Sequence, residues 1–187
     1  MTKPMREIEI KVLLKDKDLA IAALKKADIA LGEPKKQHDV VYCLPGDRER
    51  AGESGVNWLR IRTQNDSEVF FTLKQSVSGS LDSIEHETTI ASASEMDASL
   101  RLMGYEIFSD LTKYRQTAHV GKIELCLDEV PPLGSFIELE KLVDGPSDVV
   151  AVERELFAVL DSLGIEYDER ITIGYDELMN DYLEAGK

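Results

Sequence analysis

Cysteine is scarce, tryptophan occurs once and histidine three times among 187 residues. Cys43 and Cys126 stand alone, with no CxxC pair and no Cys/His ligand spacing, which argues against a disulfide framework and against a zinc site. Both read as buried thiols. His38, His86 and His119 are too scattered to form a metal set and read as ordinary surface or strand residues. Positive charge is in deficit: 22 Lys and Arg face 36 Asp and Glu, a formal net charge of −14. That balance excludes a broadly basic nucleic-acid surface, because neutralising phosphates needs clustered bases on the outside. Any polyanion site has to be local and shielded. No stretch approaches the roughly 18 apolar residues of a membrane span, and the segment Met1 to Glu7 has no apolar leader core, so a cytoplasmic protein off the membrane is expected. Repeats, low-complexity tracts and composition breaks are absent too, which predicts a single domain over 1–187.

What is present is alternation. Strand-like period-two patterns run over 6–14, 38–44, 56–63, 68–75, 84–91, 113–119, 121–129 and 134–141, separated by turn-prone pieces such as Pro45-Gly46-Asp47 and Ser78-Gly79-Ser80. Helical spacing appears at 17–31 (Leu19, Ile21, Ala22, Leu24), 94–103 (Met96, Leu100, Met103) and 147–163 (Val149, Val152, Leu156, Leu160). The helices do not alternate strictly with the strands, so an antiparallel α+β fold is expected over a parallel βαβ one.

The informative feature is which residues share a strand face. Glu7, Glu9 and Lys11 point away from Ile8, Ile10 and Val12. Arg60 and Arg62 alternate with Leu59 and Ile61, Lys74 follows Leu73, Glu85 shares a face with Glu87, and Lys113 shares one with Arg115. Glu124 and Asp128 oppose Leu125 and Leu127, while Glu138 and Glu140 oppose Ile137 and Leu139. Any one such strand is explained by a half-exposed sheet with its charged face in water. The recurrence is not, because acids cluster with acids and bases with bases at spacing two, an unfavourable arrangement unless something bridges it. If the sheet closes with helices over its apolar side, six bases (Lys11, Arg60, Arg62, Lys74, Lys113, Arg115) suit a polyphosphate. The carboxylates Glu7, Glu9, Asp128, Glu138 and Glu140 suit hard Mg2+ or Mn2+.

Glu7-x-Glu9-x-Lys11 resembles the ExExK signature of the CYTH superfamily, the triphosphate tunnel metalloenzymes, which includes class IV adenylyl cyclases, thiamine triphosphatases and inorganic triphosphatases. Leu59-Arg60-Ile61-Arg62, Thr72-Leu73-Lys74, Glu85-x-Glu87, Lys113-x-Arg115, Leu127-Asp128-Glu129-Val130 and Gly134-x-Phe136-Ile137-Glu138-Leu139-Glu140 follow in the family's order, over about residues 6–182. The resemblance implies a closed eight-stranded antiparallel β-barrel, or tunnel, with helices packed outside. It implies Glu7, Glu9, Asp128, Glu138 and Glu140 as ligands of one or two divalent ions, and Lys11, Arg60, Arg62, Lys74, Lys113 and Arg115 as phosphate ligands. Lys11, Glu85 and Glu87 are the catalytic candidates, the two acids orienting bases or positioning the nucleophile. His38 to Cys43 only loosely matches the family's Asp-x-Tyr strand and receives no role.

The implied ligands serve two reactions equally: cyclisation of ATP to cyclic AMP and pyrophosphate, and hydrolysis of thiamine triphosphate, tripolyphosphate or a nucleoside triphosphate. For the cyclase, Ile173-Gly174-Tyr175-Asp176-Glu177-Leu178-Met179 resembles the C-terminal Ser-Tyr-x-x-Leu-Leu segment of class IV sequences with two substitutions, whereas the His-Phe pair expected ahead of Glu7 is missing. Trp58, on the face of Arg60 and Arg62, is similar in placement to the Trp-x-Arg-x-Arg of animal thiamine triphosphatases; it either stacks on a heterocycle or fills a barrel end. Tyr175 either covers one end of the tunnel or packs. Glu166 to Arg170 reads as a solvated turn. The expected partner is a small-molecule triphosphate, with no nucleic acid, no membrane and a homodimer left open. A polyphosphate-binding module without turnover is the alternative from another class.

Overall fold

The structure, a computed structural model, describes residues 5–144 and 148–186. Its elements follow in the order β1 (Met5–Leu14), α1 (Lys17–Lys26), β2 (Lys35–Cys43), a 3-10 turn (Pro45–Arg50), β3 (Asn57–Gln64), β4 (Glu68–Gly79), β5 (Asp82–Thr89), α2 (Ala93–Leu102), β6 (Glu106–Val120), β7 (Ile123–Val130), β8 (Gly134–Asp144), α3 (Val149–Ser162), β9 (Tyr167–Ile171) and α4 (Tyr175–Ala185). The hydrogen-bonding order is β5-β4-β3-β2-β6-β7-β8-β1-β9, and β5 also pairs with β1. Eight strands thus close in order as the expected antiparallel α+β barrel, with β9 as an extra strand on β1. No helix among the described residues is long and apolar enough to cross a membrane.

The chain divides into two compact units, residues up to Pro34 with Tyr114–Thr172, and Lys35–Lys113 with the segment from Ile173. In the first unit the apolar faces of β1, β7 and β8 (Ile8, Ile10, Val12, Leu125, Leu127, Ile137, Leu139) pack against Ala20 and Leu24 of α1 and Val152, Leu156 and Leu160 of α3. Burying each such Leu or Ile is worth about 1.5–3 kcal/mol, so the alternate strand positions, which carry the charges, are left facing the other way. Asp16 caps α1 by accepting from the backbone N–H of Asp18 and Leu19, and Asp148 caps α3. In the second unit Tyr42, Leu59 and Ile61 pack on Leu100 of α2, where the Tyr42 hydroxyl donates to Asp97 at 2.7 Å.

All eight expected strands are present, with edges shifted by a few residues; β6 starts at Glu106, well ahead of the expected 113. The helix expected over 17–31 ends at Lys26, where Asp28 takes a left-handed φ of 58°. Position 147, where the third helix was expected to begin, lies outside the described residues, and the helix starts at Val149. One element corrects the sequence reading and another adds to it. Glu166 to Arg170 is no solvated turn: Tyr167–Ile171 is a strand, with Arg170 opposite Val12 and Glu169 opposite Leu13. The segment beginning at Tyr175 is the helix α4, its first turn tied by the Gly174 N–H donating to Glu177.

Candidate functional site

Register builds the charged face of the first unit. Glu9 stands opposite Glu140 on β8, and Glu140 opposite Glu124 on β7, so three carboxylates lie in one row across three strands. The next row runs Lys11, Glu138, Cys126. Like charges directly opposed are unfavourable, and two cations offset part of the cost. Lys11, 2% exposed, lies 3.3 Å from Glu9 and 3.2 Å from Glu138. Arg115 donates through Nε and Nη2 to Asp128 at 2.8 and 2.6 Å, through Nη2 to Glu138, and through Nη1 to Glu140 at 3.3 Å. Burial alone would favour a neutral Arg115, but Asp128 and Glu138 outweigh it and hold the guanidinium charged. Burial pushes the Glu140 carboxyl well above the ordinary range; Arg115 opposes that, and Glu7, Glu138 and Glu9 add to it.

Those groups include two sets with ligand atoms within 4.8 Å of one another, Glu7-Glu9-Glu140 and Glu124-Cys126-Glu140. The first offers oxygen alone, the donor set of a hard divalent ion. The Cys126 thiol, buried and pushed up by burial, is protonated and lies 3.6 Å from Glu124. Both cysteines are free.

The second unit arranges its charges differently, with Arg60, Arg62 and Lys74 each paired with an acid. Asp39 on β2 faces Arg62 on β3; Arg60 faces Thr72 on β4, which faces Glu87 on β5; Lys74 faces Glu85. Arg62 donates Nε and Nη2 to the two Asp39 oxygens, both at 2.7 Å. Arg60 Nη2 donates to Thr72 Oγ1 at 3.1 Å and reaches Glu87 at 3.4 Å, while the Thr72 hydroxyl donates to the same Glu87 oxygen at 2.8 Å. The buried Arg60 Nε has no hydrogen-bond partner in the structure. Lys74 lies 3.2 Å from Glu85. Burial works against ionisation of Glu85, yet Lys74 and Arg60 bring its carboxyl down to about 2. The Lys113 ammonium sits 4.9 Å from the centre of the Tyr175 ring, a cation–π contact.

Glu7, Glu9, Lys11, Asp128, Glu138 and Glu140 thus come together in the first unit with Arg115, which the sequence grouped with the phosphate ligands and which stands among the acids. Arg60, Arg62, Lys74, Glu85 and Glu87 come together in the second unit, which also holds Lys113. Trp58 packs against Phe108 at 4.7 Å between ring centres, within the apolar group of Val41, Cys43 and Val56. Three residues near these groups received no site role from the sequence: Asp39, Thr72 and Cys126. For Asp39 a signal existed, a lone acid alternating with the apolar Val40 and Tyr42 of its strand.

An antiparallel fold of this order, with ExExK acids on one strand and alternating arginines on another, defines a class: the CYTH domain model matches residues 5–175, and the chain belongs to that family. Among individual relatives, a protein of Methanocaldococcus jannaschii named "Putative adenylate cyclase MJ0240" is 30% identical over 180 residues, covering 93% of this chain and 98% of that protein. The X-ray structure of a "putative adenylate cyclase" from Vibrio parahaemolyticus superposes with a TM-score of 0.76 at 19% identity, over 96% of this chain and 99% of that one. The "Putative adenylyl cyclase HpAC1" from Hippeastrum gives 0.57 at 16% identity, over 88% and 90%. The likeness to these two structures is one of fold.

Proposed function

We propose that this protein is a metal-dependent enzyme acting on a triphosphate, and that its reaction is the conversion of ATP to cyclic AMP and pyrophosphate. The observation that carries the triphosphate reading is that one chain holds both an all-oxygen carboxylate set, Glu7-Glu9-Glu140, and guanidinium groups fixed by neighbouring carboxylates. In this reading Glu7, Glu9, Asp128, Glu138 and Glu140 serve Mg2+ or Mn2+. When bound, the ion supplies positive charge to phosphate oxygens. Lys11, Arg60, Arg62, Lys74, Lys113 and Arg115 serve the phosphates. In cyclisation the ribose 3′ oxygen attacks the α-phosphorus and pyrophosphate leaves in line, so fixed donors aimed at the phosphoryl oxygens lower the barrier without reorganising. Glu85 and Glu87, each beside a base, hold Lys74 and Arg60 in place.

The cyclase is favoured by the name of the M. jannaschii relative. A triphosphatase is the second reading, supported by the Hippeastrum neighbour, described as having a dominant triphosphatase activity, and by charged faces that suit phosphate. Trp58, 8% exposed and packed on Phe108, supports an end-filling role over stacking on a thiamine ring. The test incubates purified protein with ATP, thiamine triphosphate and tripolyphosphate in Mg2+ and in Mn2+ and identifies the products. Cyclic AMP with pyrophosphate is expected. Orthophosphate establishes the second reading, and saturable binding without product replaces both with a binding module.

A further inference from the structure

Asp39 is a carboxylate placed where a carboxylate is expensive. It is 5% exposed, and removing an ion from water costs several kcal/mol unless its partners are well aligned. Alignment is what β2 and β3 supply: register sets Asp39 directly opposite Arg62, and the side chains meet fork to fork, both contacts at 2.7 Å. Among the neighbouring bases of β3 and β4 the recorded contacts are longer. Arg60 rests on a hydroxyl at 3.1 Å and a carboxylate at 3.4 Å, and Lys74 on one oxygen at 3.2 Å. Burial opposes the charge on Asp39, but Arg62, with Arg60 and Lys113 behind it, keeps the carboxyl below the usual carboxylate range. The pair is therefore charged on both sides.

A guanidinium has five N–H donors in one plane, and Asp39 engages the Nε–Nη2 edge. That fixes the plane and the direction of the rest of the fork. An unrestrained Arg side chain carries about 2 kcal/mol of rotamer entropy, so a clamp that removes this freedom before substrate arrives makes the fork more effective. We propose that Asp39 is a positioning residue for triphosphate recognition, acting by locking the Arg62 fork in a single orientation toward phosphoryl oxygen. The assignment rests on the triphosphate reading above.

The competing role, a plain counter-charge, has the opposite consequence. Asp39→Asn keeps the shape and removes the charge. A counter-charge lost leaves Arg62 more attractive to a polyanion, so KM falls and kcat holds. A clamp lost is different: the Asn amide N–H2 meets Nη2–H donor against donor, the fork swings, and kcat falls. We expect kcat to drop about thirtyfold, inside the hundredfold that a misplacement of about 1 Å costs, with KM moving less than about threefold. Asp39→Glu, charged but one methylene longer, recovers part of the loss.

The decisive experiment is a double-mutant cycle with Arg62→Lys, which removes the fork that Asp39 grips. Steady-state kinetics on ATP and tripolyphosphate, and calorimetric titration with tripolyphosphate, are run for wild type, D39N, D39E, R62K and D39N/R62K, each checked for a cooperative thermal transition. In the R62K background D39N is expected to cost less than about threefold. An equal penalty in both backgrounds, or a D39N enzyme with wild-type kcat and lowered KM, overturns the assignment. Should D39N not fold, the same cycle is read with D39E, where a kcat equal to wild type overturns it. A wild type that binds without turnover moves the readout to the calorimetric Kd; a wild type that neither binds nor turns over overturns the triphosphate reading itself.

Discussion

The two units of this chain handle charge in opposite ways. On its charged face the first has two bases, Lys11 and Arg115, against six carboxylates, Glu7, Glu9, Glu124, Asp128, Glu138 and Glu140, and register sets acid opposite acid. The second has four bases, Arg60, Arg62, Lys74 and Lys113, against Asp39, Glu85 and Glu87, with a base and an acid sharing each of three successive rows. In the proposed reading, a face short of cations is suited to gaining one. In the same reading, a face on which Arg60, Arg62 and Lys74 are each steadied by an anion presents donors in fixed directions. Composition does not show this difference; it lies in which strands are neighbours.

The comparison breaks most visibly at Arg115. Replacing it with Met strips Asp128, Glu138 and Glu140 of a shared partner, and the expected loss is about 3–5 kcal/mol of unfolding free energy in metal-free buffer, the cost of removing one side of a buried ion pair. Urea unfolding measures it, and added Mg2+ or Mn2+ should recover part. Arg60→Met is the control in the other unit: Glu87 is 45% exposed, so screening keeps that pair below about 1 kcal/mol. Equal losses would erase the distinction.

Function sharpens it further. Arg62→Ala is expected to lower kcat/KM about a hundredfold by removing a fixed donor from the transferred group, with the metal midpoint unmoved. Glu9→Gln should do the reverse, shifting the metal-activation midpoint by at least the tenfold or so that loss of even an outer partner costs. Metal titrations and substrate titrations on both variants check the crossing.

Acidity gives smaller effects. Because the Glu140 carboxyl is raised, its proton has to leave before an ion binds, so the metal concentration needed for half activation should fall as pH rises above the ordinary carboxylate value of 4.5. Glu140→Gln should flatten that dependence; an unchanged slope would remove Glu140 from the ion's ligands. In the second unit the Glu85 carboxyl is depressed from 4.5 to about 2. A depressed carboxylate stabilises the fold above its unfolded value and loses that contribution as pH falls toward its folded one. The stability gap between wild type and Glu85→Gln should therefore be present at neutral pH and close between pH 4.5 and about 2, by chemical unfolding at each pH.

Strand faces were legible because side chains alternate with period two wherever an apolar face is buried. Glu7, Glu9 and Lys11 could be placed on one side of β1 from sequence alone. Rows across strands could not, since the partner and register of a strand are set by distant segments: nothing in β8 or β7 announces that Glu140 lies between Glu9 and Glu124. Asp39 was missed for the same reason, its meaning residing in Arg62 across the ladder. β9 was missed because Asp168, Glu169 and Arg170 look like a loop, and the strand owes its existence to the hydrogen-bonding edge of β1. The α4 helix escaped because its buried side, Tyr175 and Met179, is too narrow to register as a periodic stripe.

β6 passes from one unit to the other between Lys113 and Tyr114, in the middle of a continuous strand. Neither unit is a contiguous stretch of chain, so no single cut releases either one intact, and a truncation after Thr172 deprives the second unit of α4. Pairing Glu9 with Glu140 joins residues far apart in sequence, and such closures are entropically late. A ribosome extending this chain therefore has to deliver β8 before the carboxylate-rich face, begun at its first strand, can be assembled at all.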